Sequence, residues 1–334
     1  GLSSNGLGWS DTGKKEVIGG IAREFYHRVW RHYQSPDAWR WQKLEDYGNR
    51  GQGSPAIDGD RRTMWVFEPK VAEQIFESWI TENQIKVFRD ERLERHNGVE
   101  MKSGKIVSIT SMSGNRYEAK VFIDCTYEGD LMAAAGISYI VGREGNDRYG
   151  ETLNGVQISA AKKNQFFYRI DPFKVSGDSA SGLLQGISSW KPEGDGTGDD
   201  KIQAYNFRLC LTQVEENRVP FAQPSSYDPS KYELLLRTLI RGSRHVFSNF
   251  DPIPNAKTDT NNYGSFSTDN IGMNYRYPEG TYEERSEIIS EHENYLKGYF
   301  YFLCNDPRVP QEIRDEKNQW GLARDEFEEN GHWP

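Results

Sequence analysis

The sequence predicts a mixed α/β chain with α+β character, built in two parts. Three observations predict it. Residues 121–136 read Val-Phe-Ile-Asp-Cys-Thr-Tyr-Glu-Gly-Asp-Leu-Met-Ala-Ala-Ala-Gly, an apolar strand-like run, a turn at Asp124 and a small-residue helix that stops at Gly136. A buried strand feeding a turn and then a helix is how open α/β sheets build ligand crevices, outside the carboxyl ends of their strands. Ahead of that passage, apolar runs at 85–88, 106–109 and 117–123 are separated by Asn97-Gly98, Ser103-Gly104 and Ser113-Gly114, the pattern of short strands joined by turns. After about Gly142 the composition shifts to long polar loops, one alternating strand and helices. The expected organisation is therefore a first unit over residues 1–142, a second unit of antiparallel strands and helices over 143–320, and a return to the first over 321–334.

The elements follow in order. The opening Gly1-Leu-Ser-Ser-Asn-Gly6-Leu-Gly8 reads as a flexible glycine-rich loop. A helix is expected over 16–33, because Val17, Ile21, Phe25 and Val29 recur every four positions and make one buried stripe. Residues 34–62 are rich in Gly, Pro and Asp and read as a long loop. A second helix follows Phe67-Glu68-Pro69, with proline in its first turn and Val71, Ile75, Phe76, Trp79 and Ile80 on its apolar face. In the second unit a strand is expected over 202–212 and a helix over 229–241. A long polar loop is expected over 249–282, and a long helix from about Tyr282 to Leu303, ending before Asp306-Pro307. Loops of this length inside a compact domain are usually functional or disordered, and the aromatics in 249–282 argue against disorder.

Bulk properties exclude several classes. The 334 residues suffice for two domains, or for one large domain with an insertion. The net charge is −9 and no basic run exceeds Lys14-Lys15 or Arg61-Arg62, so no nucleic-acid partner is expected. No run approaches the roughly 18 apolar residues of a membrane span. Aromatics at 13% argue against disorder and suit sugar stacking as well as an ordinary core. Cys125, Cys210 and Cys304 are too widely spaced for a disulfide framework or a zinc site and read as buried thiols in apolar surroundings. The compartment is open between cytoplasm and periplasm.

No Gly-x-Gly-x-x-Gly follows a strand, and no Walker loop, His-Glu-x-x-His or Gly-x-Ser-x-Gly occurs. The acidic run Gly194-Asp-Gly-Thr-Gly-Asp-Asp200 lacks the glycine and terminal glutamate of a calcium loop, so no metal is expected. Two polar clusters remain. In Gln203-Ala-Tyr205-Asn206-Phe-Arg208, alternation points Tyr205 to one face and Asn206 and Arg208 to the other. A buried arginine must be paired, so Arg208 reads either as a structural ion pair or as a substrate contact. The run Lys257-Thr258-Asp259-Thr260-Asn261-Asn262 reads either as Asx turns holding a loop or as ligands for a hydroxyl-rich molecule.

Several stretches together resemble a known family. They are Gly1-Leu-Ser-Ser, Gly6-Leu-Gly-Trp-Ser-Asp11, Val17-Ile-Gly-Gly-Ile-Ala-Arg-Glu-Phe-Tyr26, Phe67-Glu-Pro69, Phe122-Ile-Asp-Cys-Thr-Tyr-Glu-Gly-Asp130, Gln203-Ala-Tyr-Asn-Phe-Arg-Leu-Cys-Leu-Thr212, Asn305-Asp-Pro-Arg-Val-Pro310 and Trp320-Gly-Leu-Ala-Arg-Asp-Glu-Phe327. Across nearly its whole length the chain resembles FAD-dependent oxidoreductases whose flavin domain is of the glutathione-reductase-2 type, common among enzymes associated with carbohydrate breakdown. The resemblance implies that residues 1–142 are part of an FAD/NAD(P)-binding-type domain with a substrate domain inserted. It implies that the chain corresponds to the middle of a family member, without the first dinucleotide-binding βαβ unit and a longer C-terminal piece, and hence that it retains FAD weakly or not at all and is inactive alone.

By the same resemblance, Ser3 and Ser4 lie beside the ribityl chain and pyrophosphate of FAD, and Leu93 lies near the adenine. Asp124-Cys125-Thr126 takes the place of the family's Asp-Ala-Thr-Gly turn close to FAD, with Tyr127-Glu128-Gly129 replacing the simple glycine. Tyr205, Asn206, Arg208, Asp259, Asn261 and Asn262 fall in the inserted domain and are the expected substrate contacts. No residue is singled out as a catalytic base, because the flavin carries the redox chemistry and the protein positions the substrate. The expected activity is oxidation of a small, carbohydrate-like substrate by hydride transfer to FAD. A carbohydrate-active lyase or hydrolase without flavin, and a non-catalytic binding remnant, are the alternatives.

Overall fold

The computed structural model describes every residue except Gly1, Thr12, His245, Asn262 and Tyr263. Its helices are α1 Gly20–His32, α2 Leu44–Tyr47, α3 Pro69–Glu82, α4 Asp130–Ala134, α5 Asn146–Tyr149, α6 Glu233–Ile240, α7 Tyr282–Asn305 and α8 Gln311–Lys317. Its strands are β1 Ile57–Asp58, β2 Thr63–Met64, β3 Val99–Lys102, β4 Lys105–Thr110, β5 Arg116–Glu118, β6 Phe173–Val175, β7 Asp178–Leu183, β8 Leu209–Thr212, β9 Arg218–Val219, β10 Asn249–Ile253, β11 Lys257–Asn261 and β12 Gly321–Ala323. The pairings among the described strands are antiparallel, in sheets β1-β2, β3-β4-β5, β6-β7 and the five-stranded β10-β11-β8-β12-β9.

The five-stranded sheet is the central layer, and β8 explains why. Successive strand side chains point to opposite faces. Leu209 and Leu211 enter a cluster with α6, α7 and α8, while Cys210 enters another with α1 and α3. In β12, Leu322 joins the first cluster and Ala323 the second. A sheet covered on both faces buries polar residues only if each finds a partner, and β11 shows the consequence. Its polar run was expected to be a loop. It is instead an interior strand between β10 and β8, with Lys257, Thr258, Asp259 and Thr260 all buried. Both backbone edges are paired, and the two threonine hydroxyls lie 2.5 Å apart.

The helices follow their local signals with some corrections. In α7, Thr281 and Glu284 form a reciprocal capping box, and Leu296, Tyr299, Phe300, Phe302 and Leu303 face the core. In α3, Pro69 opens the first turn as expected. The stripe foreseen for the first helix holds only in part. Phe25 and Val29 are buried, but Val17 and Ile21 are 76% and 78% exposed. α1 opens on Gly20, whose φ of 55° is left-handed, so the separate turn Lys15–Val17 does not run on into it and Val17 is not on the same helix. The opening segment forms a 3-10 turn over Leu2–Asn5. The strand expected at 202–212 contains ladder pairing only from Leu209, and the apolar run 85–88 forms no strand.

The largest correction falls on the strand expected over residues 117–123. β5 stops at Glu118, and no described strand lies beside residues 119–123. Val121 and Ile123 are therefore 72% and 78% exposed. Cys125 is exposed for the same reason, whereas Cys210 and Cys304 are buried.

Candidate functional site

The passage from Asp124 to Ala134 nevertheless builds a defined turn. One carboxylate oxygen of Asp124 accepts the Thr126 N–H at 2.9 Å and the Thr126 hydroxyl at 2.7 Å, and the other accepts the Met132 N–H at 3.1 Å. The Gly129 N–H donates to the Thr126 hydroxyl oxygen at 3.0 Å. Gly129 itself has φ 70°, which a glycine adopts without strain and which launches α4. Partial burial pushes the Asp124 carboxyl up, and the hydrogen bonds from Thr126 and Met132 outweigh it and hold the group below the usual range.

This turn forms one wall of a cleft of about 450 Å³. Leu93, Ile109, Ile123, Leu131 and Ile289 supply apolar surface, and Tyr277 and Tyr282 supply two rings. Arg285 crosses the floor, donating to both oxygens of Asp130 at 2.6 and 2.8 Å and to the carbonyls of Tyr277 and Pro278. Its guanidinium stays charged because it is buried against Asp130 rather than alone. The Tyr282 hydroxyl donates to the Leu93 carbonyl at 2.9 Å, fixing α7 against the 91–93 segment. Arg92 also lines the cleft, 5.5 Å from the Tyr282 ring centroid, with no ion-pair partner among the described residues.

Leu93, Cys125 and Thr126 thus meet in one cleft, while Ser3 and Ser4 lie outside its lining. They sit on the 3-10 turn packed against α3, next to Leu2, whose N–H donates to the Tyr127 hydroxyl at 3.1 Å. The same N-terminal segment touches the second polar cluster. Gly6, at φ 105°, passes so close to the Arg208 carbonyl that a Cβ would lie 2.0 Å from it. Arg208 donates to one oxygen of Asp259 at 2.8 Å through Nε, while the Trp9 N–H donates to the other at 3.1 Å. Burial pushes the Asp259 carboxyl up to about 6 against the pull of Arg208 and the Trp9 N–H. Asp251 lies directly opposite Asp259 on β10, and its carboxyl is also raised, chiefly by burial.

The other expected substrate contacts separate. Asn206 donates to Asp269 rather than to Asp259. Asn261 accepts from Asn249 across the β10–β11 pair at 2.6 Å. Tyr205 stands edge-on to Tyr277, with centroids 5.5 Å apart, and so touches the cleft wall rather than the Arg208 pair. Asn262 lies outside the described residues.

A third polar centre sits under β11. The Lys257 ammonium, fully buried, lies 2.7, 2.7 and 2.5 Å from carboxylates of Glu68, Asp325 and Glu326. Those three carboxylates have a spacing that could ligate a metal, but the ammonium occupies the position of the cation. Burial and the neighbouring Glu68 charge push the Glu326 carboxyl up to about 7, against the attraction of Lys257.

Sequence reasoning missed Arg92, Asp130, Tyr277, Tyr282 and Arg285 as cleft residues. Arg285 carried a usable signal. It follows Glu283 and Glu284 at the positive end of a long helix, where a cation is disfavoured unless something pairs it. Nothing local pointed to Asp130 as that partner, since 155 residues separate the two.

The family model described as FAD dependent oxidoreductase matches residues 1–334. The chain belongs to this family. No curated protein and no solved structure matches it significantly. Members of the family bind FAD, so this chain is an oxidoreductase of flavin-linked redox chemistry. No helix among the described residues is long and apolar enough to cross a membrane.

Proposed function

We propose that the protein oxidises a small, carbohydrate-like alcohol or amine by hydride transfer to FAD, with residues 1–142 and 321–334 on the flavin side and 143–320 on the substrate side. The family match over the whole chain carries the flavin chemistry. The convergence of Leu93, Cys125 and Thr126 in one cleft supports the flavin side.

The cleft residues suit part of such a cofactor. Leu93, Ile109, Ile123 and Leu131 offer apolar walls to a planar ring. Arg92 offers an uncommitted cation to a phosphate, and the Asp124–Thr126 hydrogen bonds keep the wall rigid. Ser3 and Ser4 would act from the adjoining turn. When bound, the flavin supplies the electron-pair acceptor. On the substrate side, Arg208 and Asp259 form a rigid charged pair beside the N-terminal segment, Asn206 holds Asp269, Asn261 pairs with Asn249, and Tyr205 stands against the cleft wall. These residues orient the substrate and hold its polar groups, which is the protein's share of the work in a flavoenzyme.

The visible absorption spectrum of the purified full-length protein tests the reading. Flavin bands are expected, together with weaker FAD affinity in Arg92→Ala and Thr126→Val. A colourless protein that does not take up added FAD would refute it.

A further inference from the structure

Beyond Arg208 and Asp259, the loop before α7 and α7 itself carry polar groups with unmet hydrogen-bonding capacity. Thr268 Oγ1, Asn274 Oδ1 and Tyr299 OH are buried without a hydrogen-bond partner, and their residues are 3%, 0% and 0% exposed. Leaving such an atom unpaired costs free energy, and native proteins accept the cost where water or a ligand meets the group. The three belong to one neighbourhood. Thr268 adjoins Asp269, the Asp269 charge reaches Tyr299, and Asn274 donates to the Gln203 carbonyl at 2.7 Å, three residues before Asn206. Asn206 in turn donates to Asp269. Asn206, Arg208 and Asp269 are partly exposed, so side chains that border the buried atoms reach solvent.

We infer that Asn206, Thr268, Asp269 and Asn274, with Tyr299 behind them, form a subsite for the hydroxyl groups of a neutral, polyhydroxylated substrate of the sugar class, with Asp269 accepting a substrate hydroxyl hydrogen bond. The chemistry of the groups selects this class. Hydroxyl, amide and phenol groups supply neutral donors and acceptors, which match hydroxyls at either end of a hydrogen bond. An anionic substrate would meet the Asp269 carboxylate, and the cation nearby, Arg208, is already paired with Asp259. Burial raises the Asp269 carboxyl against the hydrogen bonds from Asn206 and Ser267. The inference rests on reading the Arg208 region as the substrate side.

Saturation-transfer NMR on the full chain, with and without FAD, tests it using D-glucose, D-xylose and D-mannitol as probes and D-glucuronate as the anionic comparator. Transfer to at least one neutral probe is expected, stronger than to D-glucuronate and at least about fivefold weaker in Asp269→Asn. Thr268→Val, nearly the same shape, should weaken it as well and carries the comparison if Asp269→Asn does not fold. Transfer to none of the neutral probes, transfer unchanged in the folded variants, or preference for D-glucuronate would overturn the inference. Flavin uptake is scored from the spectrum of the same samples. Bound flavin without sugar contact overturns only the subsite, and sugar contact without flavin overturns only the redox reading.

Discussion

Arg285 grips Asp130 at two points, Nη1 to Oδ2 at 2.6 Å and Nη2 to Oδ1 at 2.8 Å, and thereby ties α7 to the first turn of α4 across the floor of the cleft. Both side chains are largely buried. Removing one partner strands the other charge, and Arg285→Met is expected to lower stability by about 2–4 kcal/mol in urea denaturation. Arg95, 3.2 Å from Asp130, limits the loss. The double variant Arg285→Met/Asp130→Asn should recover part of it, and a double-mutant cycle with no coupling would contradict the pair's role.

Lys257 presents a sharper case. Replacing it with methionine leaves Glu68, Asp325 and Glu326 facing one another with Lys70 at their edge. The expected loss is about 3–5 kcal/mol at neutral pH. It should shrink as the pH falls, because Glu326, raised to about 7 even with Lys257 beside it, is pushed higher without it and takes up a proton that removes one of the repelling charges. Thermal melts at several pH values check both the size and the trend.

Asp259 makes stability depend on pH in a defined direction. Its carboxyl titrates near 6 in the folded chain against 3.8 ordinarily. The folded state therefore holds a proton that the unfolded state has released. This contribution is fully present below about 3.8 and is lost as the pH rises through about 6. A shift of about two units corresponds to about 3 kcal/mol. The stability of the native protein relative to Asp259→Asn should fall by roughly that amount between pH 4 and 7. A difference that is flat with pH would contradict the burial argument.

Cys125 is the exposed thiol, and Cys210 and Cys304 are buried, with pKa values raised chiefly by burial. A small aromatic disulfide reagent should therefore modify one of the three thiols in the native protein and all three after unfolding. Because Cys125 lines the cleft, added FAD should slow its modification. Three fast native thiols would contradict the burial, and an unchanged rate with FAD would contradict the cleft as the flavin side.

Local signals carried a good part of the fold. Proline at the start of α3, the Thr281–Glu284 capping box and the Ser103-Gly104 turn between β3 and β4 are short-range chemistry, and the structure has them where the residues indicate. The misreadings share one cause, the absence of neighbours from a one-dimensional pattern. Val121 and Ile123 look like a buried strand because they are apolar, yet no described strand lies beside them. Lys257 to Asn261 look like a loop because they are polar, yet β8 and β10 enclose them.

The candidate site divides the same way. By itself the sequence determined the family, the Asp124–Thr126 turn and the pairing demand on Arg208, since these depend on residue identity and on contacts a few positions apart. Only the tertiary structure decided that Asp259 answers Arg208 and that Asp130 answers Arg285. It also decided that Lys257 sits among three carboxylates from two distant segments. A buried charge requires a partner, but which partner it meets is fixed by how the sheet and helices pack, and that information lies in no single stretch of chain.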